Sequence, residues 1–424
     1  MTGLWSELGF RPADILIPAG CDMSKWSVVA CDQFTSQPDY WDRVEEFVGD
    51  APSTLRITLP EIRLDRPDTE ERIDAIHRTM DEYLDRGLFT CYPDSLIYVE
   101  RRLSDGLIRP GLVGAVDLEQ YDYSEDANGL VRATEAVVPK RLPPRIAVRR
   151  GSALELPHVL MLIDDPEKTV LEPLAAEKDR MRMVYHFDLM ERGGSIRGYL
   201  LPDDLKERTA RALAALADRD RFNERFGTHD LDPLLFAVGD GNHSLASAKE
   251  VYKSVKGTPD EPFARFSLVE VGNLCDDSLV FDAINRVVFD VDPEALLRAL
   301  TEHYPNAYYG LGEGHSFTYC LGGEEGMITI PDPEAELPIA TLQNFLDHYT
   351  EEHGGRIDYI HGANVVRSLS LQSGTIGFIL PSIDKESLFR TVVFEGKLPR
   401  KTFSMGQAND KRYYLEARRI TAGG

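Results

Sequence analysis

Short apolar blocks alternate along the chain with longer stretches whose apolar residues recur every three or four positions. ILIPAG around Ile15, WSVVAC around Val28 and TLRITL around Leu55 are short, rich in β-branched residues and bounded by polar or turn-forming ones, so each predicts a strand. Pro67-Asp68-Thr69-Glu70 reads as a helix start, and Ile73, Ile76, Met80 and Tyr83 line one face of a helix ending near Asp85. SLIYVERRL and GLVGAVDL predict two further strands, and YDYSEDANGLVRATE predicts a hairpin turning at Asn128-Gly129. A stretch rich in Ala, Leu, Arg and Glu predicts one helix from Asp203 to about Arg225, and FARFSLVEVGNLCDDSLVFDAINRVVFDV predicts two strands around a short helical turn. Beyond residue 291 come Gly-rich hairpins, a helix near TLQNFLDHYTEEH and closing strands. The pattern predicts a mixed α/β (α+β) protein with a main lobe over 1–290 and a smaller lobe over 291–424, joined at a soft boundary.

One corner breaks the routine. In LLFAVGDGNHSLASAK, residues 234–249, an apolar run stops at Gly239-Asp240-Gly241-Asn242 and a helical pattern begins at His243. A glycine turn between strand and helix suits an anion: the first helical N–H groups lack partners within the helix, the helix dipole adds positive character, and glycine lets the backbone come close. Asn242, His243 and Ser244 add donors, and Asp240 is placed to orient His243 or hold a metal. The competing reading is that Asn242 or Ser244 simply caps the helix. No GKS or GKT follows, so this is not a Walker loop, and Ser244 lacks the second glycine of a nucleophile elbow.

Composition narrows the classes. The 424 residues are 42% hydrophobic and 28% charged, enough to bury large cores, and 71 acidic against 47 basic residues give a net charge of −24. That charge opposes non-specific binding to nucleic acid or anionic membranes. The five cysteines are scattered without a CxxC pair, and the start MTGLWSELGFRPAD has no leader pattern, so the expectation is a cytoplasmic protein without a membrane span. Without HExxH or HxH spacing, no zinc or iron centre is predicted, and neither haem nor flavin is expected.

Two basic islands run against the acidic whole. RATEAVVPKRLPPRIAVRR, residues 132–150, and the segment 397–419 concentrate Arg and Lys, and Arg141, Arg145, Arg400 and Lys401 adjoin prolines or turns that fix the backbone for anion recognition. Pairing with the surplus surface carboxylates is the alternative. Glu135 is the acid within the first island, suited to positioning a substrate hydroxyl or amine. Asp164-Asp165, at the end of LPHVLMLIDD, are candidate Mg²⁺ ligands, or else cap the turn before Pro166. His158 and His361 are polar residues in apolar contexts, more often structural than catalytic.

GDGNHSLASAK resembles the DGHHR-x-x-A signature of the domain-of-unknown-function family 1015. VVACDQFTSQPDYW, PSTLRITLPE, RATEAVVPKRLPPR and LPRKTFSMGQANDKRYYLE resemble other strings of that family, in the same order. The signature is in turn similar to the phosphate-binding motif of the ParB/sulfiredoxin superfamily, which includes a free serine kinase. The resemblance implies a ParB/sulfiredoxin-like nucleotide-binding core in which Gly241, Asn242, His243 and Ser244 cradle the phosphates of ATP, ADP or CTP with Mg²⁺, and Arg286 in FDAINR reaches them. It implies a nucleotide-dependent phosphotransferase or a phosphohydrolase acting on a small polar metabolite of the free serine or phosphoserine type, or, as the alternative, a nucleotide-gated binding or regulatory protein without significant turnover. This chain departs from the motif: Asn242 and Ser244 stand where it has histidine and arginine, so a cation must come from elsewhere.

Overall fold

The computed structural model describes residues 2–35, 37–64, 66–124, 127–382, 384–398 and 401–423, with Thr2 in its backbone only. Two compact units emerge: Met1–Leu279 with Gln407–Gly424, and Val280–Gly406. The second unit begins at Val280, and the closing residues 407–424 belong to the first.

The first unit is built on a mixed sheet. Its order from edge to edge is Arg182–Asp188, Ser195–Leu200, Ile97–Arg102, Ile108–Asp117, Phe266–Asn273, Leu160–Ile163, Phe236–Asp240, Val131–Ala133 and Tyr121–Asp122. Leu160–Ile163 and Phe266–Asn273 pair in parallel at its centre, and both are buried along nearly their whole length. Side-chain alternation feeds two cores. Ile97, Val99, Val113 and Ala115 pack with Trp41, Val44 and Leu415 on one face. Tyr98, Leu112 and Val271 pack with Leu205, Leu213, Leu245 and Tyr252 on the other.

The helix predicted from residue 67 spans Thr69–Asp85, with Ile76, Met80 and Tyr83 buried. The long helix from Asp203 is two, Asp203–Leu216 and Arg219–Phe226, because the Asp218 carboxylate accepts the Arg221 N–H and starts the second. Two predicted strands are absent. TLRITL contains the 3₁₀ turn Thr54–Arg56, capped by Ser53, and Thr54 Oγ1 donates to the Trp26 carbonyl. WSVVAC retains a single bridge, Val29 to Tyr413, and around it Trp26 Nε1 and Ser27 Oγ donate to the Leu415 and Tyr414 carbonyls. The expected hairpin at Asn128-Gly129 is instead a parallel pairing, Tyr121 beside Val131. Arg132 folds back to donate to the Asn128 and Gly129 carbonyls at 2.9 and 2.8 Å, holding that connection as a loop.

The second unit has an antiparallel sheet in the order Tyr308–Tyr309, Glu324–Ile330, His315–Leu321, Thr375–Ile379, Asn285–Phe289 and Arg356–Ile360. Helices Pro293–His303, Pro338–His353, Ala363–Leu369 and Lys385–Phe394 accompany it. Among the described residues, no helix is long and apolar enough to cross a membrane.

Candidate functional site

The strand Phe236–Asp240 runs out at a register shift between Val238 and Asp240, where Gly239 lies, and the helix Asn242–Val255 follows directly. Gly241 joins them in the left-handed region, at φ 84° and ψ 24°. A Cβ there would stand 3.0 Å from Val159 Cγ2, so both conformation and space call for glycine. The first bond closing the helix is Leu245 N–H to the Gly241 carbonyl at 3.0 Å. The amides of Asn242, His243 and Ser244 precede it, at the positive end of the helix dipole.

The side chains at this start divide into three directions. Asn242 is buried and turned inward: its Oδ1 accepts the Thr134 N–H at 3.2 Å, and its Nδ2 donates to Thr134 Oγ1 and the Val238 carbonyl, both at 3.3 Å. It ties Val131–Ala133 to Phe236–Asp240, so only its amide remains for an anion. Ser244 Oγ is hydrogen-bonded to His158 Nε2 at 2.8 Å. His243 lies under the segment after Glu135, its Nε2 accepting the Val138 N–H at 3.1 Å. Burial first, then Arg145 and Arg141, lower its pKa from the ordinary imidazole value to about 4, which keeps the ring neutral.

Arg141, Arg145 and Glu135 thus belong to the neighbourhood of the corner. The short helix Leu142–Arg149 packs on Asn242–Val255, and Pro143 and Pro144 suit its first turn, where missing N–H groups cost nothing. Arg145 is ion-paired with Glu61 and also donates to the Arg141 carbonyl. Arg141 is solvent-exposed. Glu135 is half-buried on the segment whose Thr134 and Val138 amides bond Asn242 and His243. Asp240 accepts the Gly241 N–H at 2.9 Å through Oδ1 and pairs with Lys411 at 3.2 Å through Oδ2.

The expected metal ligands are otherwise engaged. Asp164 holds Arg225 in a two-pronged pair at 2.6 and 2.8 Å, and Asp165, fully buried, accepts the Thr169 and Val170 amides at 2.6 and 2.9 Å. Asp164 is thus engaged by the arginine beside it and Asp165 by the turn it caps. No group of three or more His, Cys, Asp or Glu side chains able to hold a metal occurs among the described residues.

Arg286 and Lys401 belong to the second unit. The Arg286 guanidinium is enclosed there, donating to Gln343 Oε1 and the Ile284 carbonyl at 2.6 Å each, and to the Lys401 carbonyl at 3.2 Å. Lys401 Nζ lies 4.9 Å from the centre of the Tyr359 ring. Arg400 lies outside the described residues. Sequence reasoning missed the roles of Lys411, Tyr414 and Glu61. The first two sit in the closing segment already marked as basic, and Glu61 follows PSTLRITLP, but nothing local identifies their partners.

The chain belongs to the family described as protein of unknown function (DUF1015), whose profile matches residues 17–349. Comparison with curated protein sequences gave no match. Similar solved structures include a free serine kinase in complex with AMP, at 11% identity and a TM-score of 0.38 over 72% of this chain and 91% of that one. SbnI with a C-terminal truncation from Staphylococcus aureus is similar at 11% identity and a TM-score of 0.38, covering 69% and 82%. A conserved hypothetical protein from Pyrococcus furiosus is similar at 10% identity and a TM-score of 0.35, covering 71% and 93%.

Proposed function

We propose that this DUF1015 protein holds the phosphates of a nucleotide, ATP, ADP or CTP, at its Gly239–Ser244 corner, and moves a phosphoryl group to or from a small polar metabolite of the serine or phosphoserine type. The observation that carries the reading is convergence on one helix start: a left-handed glycine, three amides ahead of the first helical bond, a neutral His243, and Arg141 and Arg145 acting on that histidine. The amides and Arg141 hold phosphate oxygens. Because Nε2 accepts from Val138, the His243 proton sits on Nδ1, where the ring donates a hydrogen bond without adding charge. Glu135 positions the hydroxyl or amine of the metabolite, and Lys411 holds Asp240 against the Gly241 amide. The nucleotide supplies or accepts the phosphoryl group.

A second reading, a nucleotide-gated binding protein without turnover, draws support from the engagement of Asp164 by Arg225 and of Asp165 by turn amides. Thermal melting with ATP, ADP, CTP and phosphoserine, with and without Mg²⁺, tests both. A ligand at 100 times its Kd stabilises by about 2.7 kcal/mol. A rise in Tm with one ligand that vanishes in His243→Ala supports the corner, and no rise with any of them overturns it. Phosphorus NMR of the product, with Glu135→Gln binding but not turning over, separates transferase from switch.

A further inference from the structure

Beside the corner lies a cavity of about 140 Å³ whose walls are largely apolar, including Leu59, Leu64, Met80, Leu154 and Leu156. Ser244 and His158 both line it. The cations at its edge are neutralised within the protein: Arg145 pairs with Glu61 and Arg149 with Glu155. The cavity therefore lacks a spare positive charge for a phosphate, and suits an uncharged ligand with a short apolar body.

Its polar floor is a chain of hydrogen bonds. Ser244 Oγ is 2.8 Å from His158 Nε2, His158 Nδ1 is 3.3 Å from the Tyr414 hydroxyl, and that hydroxyl accepts the Cys31 N–H at 3.2 Å. Tyr414 also bonds the Cys31 thiol, whose pKa is pushed up to about 12 by burial and then by Asp32, so the sulfur stays protonated. A tyrosine hydroxyl has one proton. Given to the Cys31 sulfur, it leaves the tyrosine oxygen to accept His158 Nδ1–H, and His158 Nε2 to accept from Ser244. A serine whose proton is held by a histidine, itself oriented by a third group, is the arrangement of an activated nucleophile. His158 and Tyr414 are 9% and 3% exposed, so packing fixes both.

We propose that Ser244 is the nucleophile of an acyl-transfer site, and that this cavity takes the short apolar acyl group of a neutral ester. Ser244 Oγ attacks the ester carbonyl while its proton passes to His158 Nε2. The carbonyl oxygen carries the developing charge beside the Ser244 amide, at the positive end of the helix dipole. The carbon–oxygen bond to the leaving alcohol then breaks, and His158 returns the proton to that alcohol. Water attacks the acyl-serine, gives a proton to His158 Nε2, and releases the carboxylic acid as Ser244 recovers its proton. The site shares the Ser244 amide with the proposed phosphate site, but its chemistry uses the Ser244 hydroxyl and the cavity and needs no nucleotide.

The test is to treat the full-length protein with an alkyl fluorophosphonate and map the adduct by peptide mass spectrometry, while following hydrolysis of p-nitrophenyl butyrate. The expected result is a single adduct on Ser244, ester turnover lost in Ser244→Ala, and labelling slowed at least about 100-fold in His158→Gln. No adduct on Ser244 in the unaltered protein overturns the proposal, whatever the stability of the variants. An adduct that forms at an unchanged rate in a folded His158→Gln protein overturns it equally.

Discussion

The neutral state of His243 is the feature of the corner most open to direct measurement. Its Nε2 accepts the Val138 N–H, a bond that only an unprotonated Nε2 can make, and burial with Arg145 and Arg141 lowers the pKa from 6.5 to about 4. A base whose folded pKa is depressed takes up fewer protons folded than unfolded, so its contribution is fully present above pH 6.5 and is lost as pH falls towards 4. The difference of about 2.5 units corresponds to ~3.4 kcal/mol at 1.36 kcal/mol per unit. The ring is only partly enclosed, and solvent screening reduces this to roughly 1–2 kcal/mol. The assay is a proton NMR titration of the His243 ring, with denaturant unfolding of wild type and His243→Gln across the same pH range. The wild type should lose roughly 1–2 kcal/mol more than the variant between pH 6.5 and 4. Phosphate or ADP at the corner should raise the His243 pKa, because an anion favours the charged ring. A free-protein pKa near 6.5, or identical pH slopes for the two proteins, refutes the account.

Three further outcomes follow from the same geometry. Arg412 is buried between Glu270 and Glu416 at 2.7 Å from each, so Arg412→Leu removes the cation they share, leaving Glu416 the Tyr185 hydroxyl and Glu270 the more distant Arg109, and should cost about 3–5 kcal/mol, read as a large drop in Tm; a small drop refutes it. Gly241→Ala forces a side chain into the left-handed region against Val159, which should cost about 1–2 kcal/mol and weaken any nucleotide-induced rise in Tm. Asp164→Asn should lower stability by about 1 kcal/mol or less and leave any Mg²⁺-dependent ligand shift unchanged, since Asp164 is bound to Arg225; loss of the Mg²⁺ effect would restore it as a ligand.

What the sequence made legible was local. The corner at Gly239 was readable because strand, glycine turn and helix follow one another within a single short segment, and the strands at SLIYVERRL and GLVGAVDL because their apolar residues are contiguous. WSVVAC and TLRITL carry equally good strand composition, yet the first meets the chain's closing segment through Val29 and Tyr413, and the second is turned by Ser53 and held to Trp26. Propensity marks a segment as able to pair but does not supply the partner. The basic islands show the same limit for charge. In the first, Arg132 is spent on backbone carbonyls, Arg149 on Glu155 and Arg145 on Glu61. In the second, Arg412 and Arg418 neutralise buried glutamates, and Lys411 holds Asp240. A run of positive residues in sequence thus resolves into individual pairs rather than a pooled basic surface. The closing segment contributes by position: Lys411 fixes Asp240 beneath the Gly241 amide, and Tyr414 orients His158. The strand-to-helix corner is therefore braced by residues from the closing segment, partners that its local sequence cannot name.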